Sequence, residues 1–165
     1  MIGGHNGISS SKLPTFVTGY FDQAVSFNAS VQQAMFTSFI PFANMSFTVE
    51  AWIKPTGYPN PADHSIVGLC PSQITNYCLH INIRNRKLYF GFYFNDAGGG
   101  TILALNQWIH AGFVFDISTM KQTIYLNGVQ DGQTTVSSPL LVRSGNFSIG
   151  TNEGVVTPNN YLQVR

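Results

Sequence analysis

Few side chains in this 165-residue sequence can do chemistry, and their spacing narrows what they can do. The carboxylates are Asp22, Glu50, Asp63, Asp96, Asp116, Asp131 and Glu153, and no two of them stand two or four residues apart. Retaining glycoside hydrolysis needs two carboxyls projecting to one side, about 5–5.5 Å apart. No strand here carries such a pair. The histidines His5, His64, His80 and His110 contain no i, i+4 pair of the kind that zinc enzymes place on one helix face. No G-x-S-x-G elbow nominates a nucleophilic serine. Cys70 and Cys78, with seven residues between them, are too far apart for a C-x-x-C redox or zinc pair, and no second pair completes a metal site. They flank an expected turn, so the spacing predicts a disulfide that closes a hairpin. Asn28, Asn44 and Asn146 each begin an N-x-S sequon. With the cysteines they point to an oxidising, extracellular or cell-surface setting.

Recognition is better served than catalysis. His80, Asn82 and Arg84 alternate with apolar residues in one segment, and Tyr89 and Tyr93 do so in the next. If the two segments form a hairpin, these five side chains share one face, with Gly91 opposite His80 leaving room above the sheet. Sugar binding uses flat aromatic surface against C–H faces and planar polar groups against hydroxyls, and this row holds both. The same residues also fit a purely structural role, with the tyrosines covering the sheet and Arg84 and Lys87 keeping an edge soluble. Trp52, Trp108 and His110 are read as packing residues.

The elements that must position these groups are strands. Apolar and polar residues alternate with period two along most of the chain, and no amphipathic helix is legible. Phe47, Val49, Ala51 and Ile53 form one row of a strand, and the prolines from Pro55 to Pro61 end it. A strand at Ser65 to Cys70 leads into the turn between the cysteines. Tyr77, Leu79, Ile81 and Ile83 then face one way, and after Asn85-Arg86 so do Leu88, Phe90, Phe92 and Phe94. A two-residue turn would pair Arg84 with Lys87, Asn82 with Tyr89, His80 with Gly91 and Cys78 with Tyr93. The stretch from Asn95 to Gly100, ending in three glycines, reads as a loop. Further strands are expected at Thr101 to Ala104, Gln107 to Asp116, Gln122 to Leu126, from Val129, and from Phe147. Asn127-Gly128 is a strong hairpin signal. In this layout Asp63, Asp96, Asp116 and Asp131 all fall in turns.

Composition sets outer limits. The net charge of +1 gives no reason to expect nucleic acid or an anionic membrane as partner. No apolar run approaches the roughly 20 residues needed to span a bilayer, so no membrane insertion is expected. Aromatics make up 13% of the chain, enough for a packed core despite only 9% charged residues. The polar start of the chain does not read as a secretory signal, so an exported protein would carry that signal elsewhere. The expected organisation is a flexible polar segment over residues 1–18 followed by one all-β domain over residues 19–165.

Several segments resemble the laminin-G-like jelly rolls of the concanavalin A-like lectin and glucanase superfamily. Phe47 to Pro55 is similar to their FTxxxWxKP strand, Trp108 to Asp116 to their WxHxxxxxD segment, and Ile124 to Gly128 to their YxNG hairpin. Phe147 to Gly150 is similar to their FxIG strand. Gly19 to Phe27 is similar to their opening GxFGxAxxF strand, with Asp22 replacing its second glycine. The resemblance implies a two-sheet antiparallel jelly-roll sandwich. The family's closing G-x-I-D-E/D-V-x-I strand has no counterpart here, so the expectation is a sandwich lacking its last strand or receiving it from outside this sequence. The E-x-D-x-x-E strand of the glucanases is also absent. The implied function is a non-catalytic recognition domain binding a glycan. A calcium-assisted module binding an extracellular protein is the alternative, with Ca²⁺ at the loop carboxylate of Asp96. A degenerate hydrolase relying on Glu50 ranks third.

Overall fold

Period-two alternation makes strands, and thirteen of them occur among the residues that the computed structural model describes, 8–9, 12–59, 63–152 and 161–164. In chain order they are β1 (Ile8–Ser9), β2 (Thr15–Thr18), β3 (Gln23–Ser26), β4 (Met35–Thr37), β5 (Phe47–Ile53), β6 (His64–Leu69) and β7 (Leu79–Arg84). There follow β8 (Lys87–Gly91), β9 (Asp96–Gly98), β10 (Ile109–Asp116), β11 (Lys121–Leu126), β12 (Val129–Thr135) and β13 (Phe147–Ile149). Among the described residues a single 3-10 turn lies at Ala29–Val31. Seven strands form one sheet in the order β1-β4-β13-β6-β7-β8-β9, and four form a second in the order β12-β11-β10-β5. β2 and β3 make a separate ribbon. The strand pairs within each sheet are antiparallel, and the architecture is an all-β jelly-roll sandwich.

The core lies between the two large sheets. Leu79, Ile81, Ile83, Leu88 and Phe90 point inward from one, and Phe47, Ile53, Ala111, Phe113, Phe115 and Ile124 from the other, all buried. Rings meet across the gap, Phe47 with Phe90 and Phe90 with Phe113 at 5.9 Å and Phe92 with Phe115 at 5.1 Å. Such edge-on pairs add stabilisation to the roughly 1.5–3 kcal/mol that burial of each large side chain contributes.

Two turns set the register as expected. Asn85 and Arg86 both adopt positive φ, 50° and 62°, as a type I′ hairpin turn requires. The pairs Arg84–Lys87, Asn82–Tyr89 and His80–Gly91 follow. Asn127 and Gly128, at 51° and 80°, do the same between β11 and β12.

Elsewhere the local pattern misleads. β8 stops at Gly91: Tyr93 and Phe94 take positive φ, so the Cys78–Tyr93 pair does not form and Phe94 is thrown out to 81% exposure instead of continuing the core row. The chain doubles back there, and Asp96–Gly98, expected as loop, pairs with β8. Thr101 to Ala104 is not a strand; Leu103 is pinned instead by its N–H donating to the Arg86 carbonyl. Gly19 to Asp22 turns the β2–β3 ribbon, with the Gly19 N–H donating to the Asp22 carbonyl, rather than extending β3. Tyr77 lies outside β7 and is 41% exposed.

The ribbon and β5 flank an apolar groove of about 550 Å³, floored by side chains such as Ile66, Phe113, Phe147 and Ile149. At one end of the groove Val164 bridges Phe27 on one side and Pro55 on the other, antiparallel to both. Beyond Val164 no strand lies between β3 and β5 among the described residues.

Candidate functional site

The outer face of the seven-stranded sheet gathers the residues singled out from sequence. Because β7 and β8 alternate in step, His80, Asn82 and Arg84 stand beside Gly91, Tyr89 and Lys87 on that face. The next strand, β9, puts Asp96 beside Gly91 and Gly98 beside Tyr89. On the opposite flank Ser65 pairs with Asn82 and Gly68 with His80. The row is thus a sheet-wide polar surface rather than a single hairpin.

Its centre is the Arg84–Tyr89 pair. The Arg84 guanidinium lies 3.7 Å above the Tyr89 ring centroid, and Tyr89 donates to Asp96 Oδ2 at 2.8 Å. Asp63 grips Arg84 with both oxygens, the Nη2–Oδ2 bond being 2.6 Å, and Oδ2 also accepts from Asn82 Nδ2 at 3.0 Å. This fork keeps Arg84 protonated, raising its pKa chiefly through the hydrogen bonds to Asp63. Burial pushes the Tyr89 hydroxyl well above its ordinary value, and its bond to Asp96 adds to the shift. Tyr89 therefore stays a neutral donor.

His80 is enclosed. It stacks on Tyr89 with ring centroids 5.7 Å apart, meets Tyr93 edge-on at 6.3 Å, and has Nε2 3.7 Å from Asp96 Oδ1. Burial lowers its pKa, outweighing the opposing pull of Asp96, so the imidazole is neutral. The room expected above Gly91 is already filled: a Cβ there would collide with His80 Nε2 and Asp96 Oδ1. His80 and Asn82 are accordingly buried floor, while Arg84, Tyr89, Tyr93 and Asp96 form the partly exposed rim. Tyr93, outside any strand, points its hydroxyl to Gln73 Oε1 at 3.2 Å.

Sequence reasoning missed Asp63, which it placed in a turn. A signal existed: His64 pairs with Ile83, so the next step along the ladder sets Asp63 beside Arg84, opposite charges at opposed positions. It also missed Asn152, whose buried side chain covers Gly68 next to His80. Asp96 and Asp131 sit on strands β9 and β12 rather than in turns. Asp116 does close the β10–β11 turn, accepting from Ser118 N and Oγ and from Thr119 Oγ1.

Ca²⁺ takes six to eight oxygen ligands. Asp96 is tied to Tyr89 and Asp63 to Arg84 and Asn82, and the described residues contain no group of three His, Cys, Asp or Glu side chains gathered for a metal. The donor set around Asp96 does not fit calcium.

Cys70 and Cys78 are joined, with Cα atoms 4.0 Å apart, and the Cys78 sulfur lies 3.6 Å from His80 Nδ1. The bridge therefore braces one end of the polar face. Asn28, Asn44 and Asn146 are all exposed, as acceptors of glycans must be. Asn28 caps the 3-10 turn by accepting from Ser30 N. His110 is not interior; it lies half-buried on the outer face of the smaller sheet, 3.5 Å from the exposed carboxylate of Glu50. Trp52 on that face is 41% exposed and stacks on Tyr20 at 3.9 Å. His5 and Glu153 lie outside the described residues.

Residues 18–163 match the model of a laminin G family in the concanavalin A-like lectin/glucanases superfamily. No curated protein sequence matches the chain. Among solved structures, domain 4 of AbnA, a GH43 extracellular arabinanase from Geobacillus stearothermophilus, in complex with arabinotriose, superposes with a TM-score of 0.72. The identity is 17% over 96% of this chain and 78% of that one. The binding domain of Paraclostridial Mosquitocidal Protein 1 gives 0.70 at 12% identity, over 97% of this chain and 42% of that one. Domains LG4-5 of the mouse laminin α1 chain give 0.67 at 13%, over 93% and 41%. At such identities the likeness is one of fold.

Proposed function

The chain belongs to the laminin G family of the concanavalin A-like lectin/glucanases superfamily, and from that premise we propose that it is a non-catalytic, extracellular recognition domain that binds carbohydrate on the outer face of its larger sheet. The observation that carries this reading is the juxtaposition of the Tyr89 and Tyr93 rings with the Arg84–Asp63 fork and the Asp96 carboxylate. Because the Arg84 guanidinium already covers the Tyr89 ring, a sugar ring would lay its C–H face on Tyr93 while its hydroxyls meet the neighbouring planar groups. Those groups are preorganised, since each is held by a bond to the next, and little ordering remains to oppose binding. The arabinotriose held by the structurally similar arabinanase domain adds support by analogy. The disulfide and the exposed sequon asparagines favour an extracellular setting.

The test is a glycan array probed with the wild-type chain and with Tyr93→Ala, a rim residue whose loss leaves the core rows intact. Binding that competes with free sugar and falls at least tenfold in Tyr93→Ala is the expected result. Binding to a protein ligand without sugar competition would replace this reading with the protein-adhesion one. Sugar binding unaffected by Tyr93→Ala and by Arg84→Ala would move the site elsewhere on the sandwich.

A further inference from the structure

Phe94 is the aromatic side chain most open to solvent among the described residues, and the backbone that presents it is unusual. Tyr93 and Phe94 take positive φ in succession, 69° and 58°. Each carries a Cβ that crowds this left-handed region, where glycine or asparagine is the ordinary occupant. Left to itself, the segment would relax or run on as strand. Strained residues of this kind persist only where their neighbours fix them, and they gather at ligand clamps.

Asn95 does the fixing. Buried itself, it donates from Nδ2 to Asn76 Oδ1 at 2.6 Å and to the Ser138 carbonyl at 3.0 Å, and its Oδ1 accepts from Ser137 N at 3.1 Å. Its carbonyl accepts from Phe92 N at 3.2 Å and from Gln122 Nε2 at 3.1 Å. Asn76 N donates in turn to the Phe92 carbonyl at 2.7 Å. The turn is thus tied to the loop between the cysteines, to β11 and to residues 137–138, and it holds Phe94 outward on a rigid support. The rings of Tyr89, His80, Tyr93 and Phe94 follow one another at centroid spacings of 5.7, 6.3 and 4.7 Å, a series that leads from the Arg84–Asp63 fork to the rim. Arg84 covers Tyr89, and His80 is buried. The accessible part of the series therefore begins at Tyr93 and ends on Phe94.

Resting on the carbohydrate reading above, we infer that Phe94 is a second stacking platform of the site and that the ligand is an oligosaccharide, with one ring on Tyr93 and the adjoining ring on Phe94. The polar groups that would meet its hydroxyls lie the other way, since Arg84 stands four residues along β7 from His80, about 13 Å at the rise of a strand. A ligand that uses both ends of the site is longer than one sugar ring. A monosaccharide on Tyr93 leaves Phe94 in water. A second ring covers it, and because the turn is already rigid, that burial meets little ordering cost. Phe94 thereby sets the preferred ligand length.

The experiment titrates the whole chain calorimetrically with gluco-, xylo-, manno- and galacto-oligosaccharides of one to four rings. In a recognised series the three-ring member is expected to bind at least tenfold more tightly than the one-ring member. Phe94→Ala should weaken three-ring binding at least tenfold and change one-ring binding less than twofold. Phe94→Tyr, which keeps the flat ring, should bind as the wild type does. Thermal melting checks that Phe94→Ala is folded, and the wild-type length series decides alone if it is not. Wild-type binding of one ring as tightly as three, or a Phe94→Ala chain that matches the wild type at every length, would overturn the inference while leaving the carbohydrate reading in place. Equal weakening at every length would also overturn it, since the loss would then act through Tyr93. No binding in any series would bring down both.

Discussion

Gly91 offers a sharp check on the geometry of the polar face. A methyl group added there meets His80 Nε2 and Asp96 Oδ1, both inside van der Waals contact, and neither can withdraw freely. His80 is 4% exposed and stacked on Tyr89, and Asp96 is tied to the Tyr89 hydroxyl. Gly91→Ala should therefore cost about 1–3 kcal/mol, the usual range for an extra methyl forced into a packed site. For a chain of this length 1 kcal/mol moves Tm by roughly 2–4 °C, so a fall of about 2–12 °C is expected. Gly98 supplies the control. It lies on the same face, paired with Tyr89, but a Cβ there meets nothing within 4 Å. Gly98→Ala should be neutral or stabilising by about 0.4–1 kcal/mol, through reduced freedom of the unfolded chain. Differential scanning calorimetry of the two variants and of Gly91→Ala/His80→Ala settles the matter. The double variant should recover part of the Gly91→Ala loss, because removing the imidazole clears the collision. If Gly91→Ala melts with or above the wild type, or no lower than Gly98→Ala, the close approach of His80 and Asp96 over Gly91 is wrong.

The remaining expectations concern core, crosslink and pH. Phe90→Ala should cost about 3–5 kcal/mol in urea unfolding, whereas Phe94→Ala, on the residue thrown out of the row, should stay within about 0.5 kcal/mol of wild type. Equal losses would mean Phe94 is packed after all. Replacing both Cys70 and Cys78 by Ser should remove about 2.5 kcal/mol by the loop-closure relation for a bridge with sequence separation 8, measured as a shift in the urea midpoint. No shift would argue that the turn holds itself closed. His80 has its folded-state pKa lowered by burial, so the unfolded chain binds the extra proton first. Its contribution is fully present above the unfolded value near 6.5 and is lost as pH falls from there toward the folded value, by up to about 1.4 kcal/mol per pH unit. Stability measured at pH 7.0 and 5.5 should therefore drop in the wild type and drop less in His80→Gln; identical slopes would assign the loss to other groups.

Much of this architecture is written locally. Side chains alternate sides of a strand whatever else the chain does, so Ile81 and Phe90 on the inner row and Asn82 and Tyr89 on the outer one follow from position alone. A two-residue turn leaves no freedom of register, which is why Asn85-Arg86 placed Arg84, Asn82 and His80 opposite the right partners. Asn127-Gly128 worked for the same reason. The disulfide joins residues close in sequence and close in space, and needed little from the rest of the fold.

What lay outside the local pattern depended on distant strands meeting. Asp63 reaches Arg84 only because β6 lies beside β7 in one register, and Asn152 reaches Gly68 from a connection more than eighty residues on. Phe94 satisfied the alternation and was still expelled, since positive φ at two successive residues redirects the chain whatever their hydrophobicity. Asp96, read as loop because glycines follow it, became a strand once the edge of β8 was free to pair. Hydrophobic periodicity specifies which face of a strand is buried. It is blind to which strand becomes the neighbour, and the charge and enclosure of the candidate site are set by those neighbours.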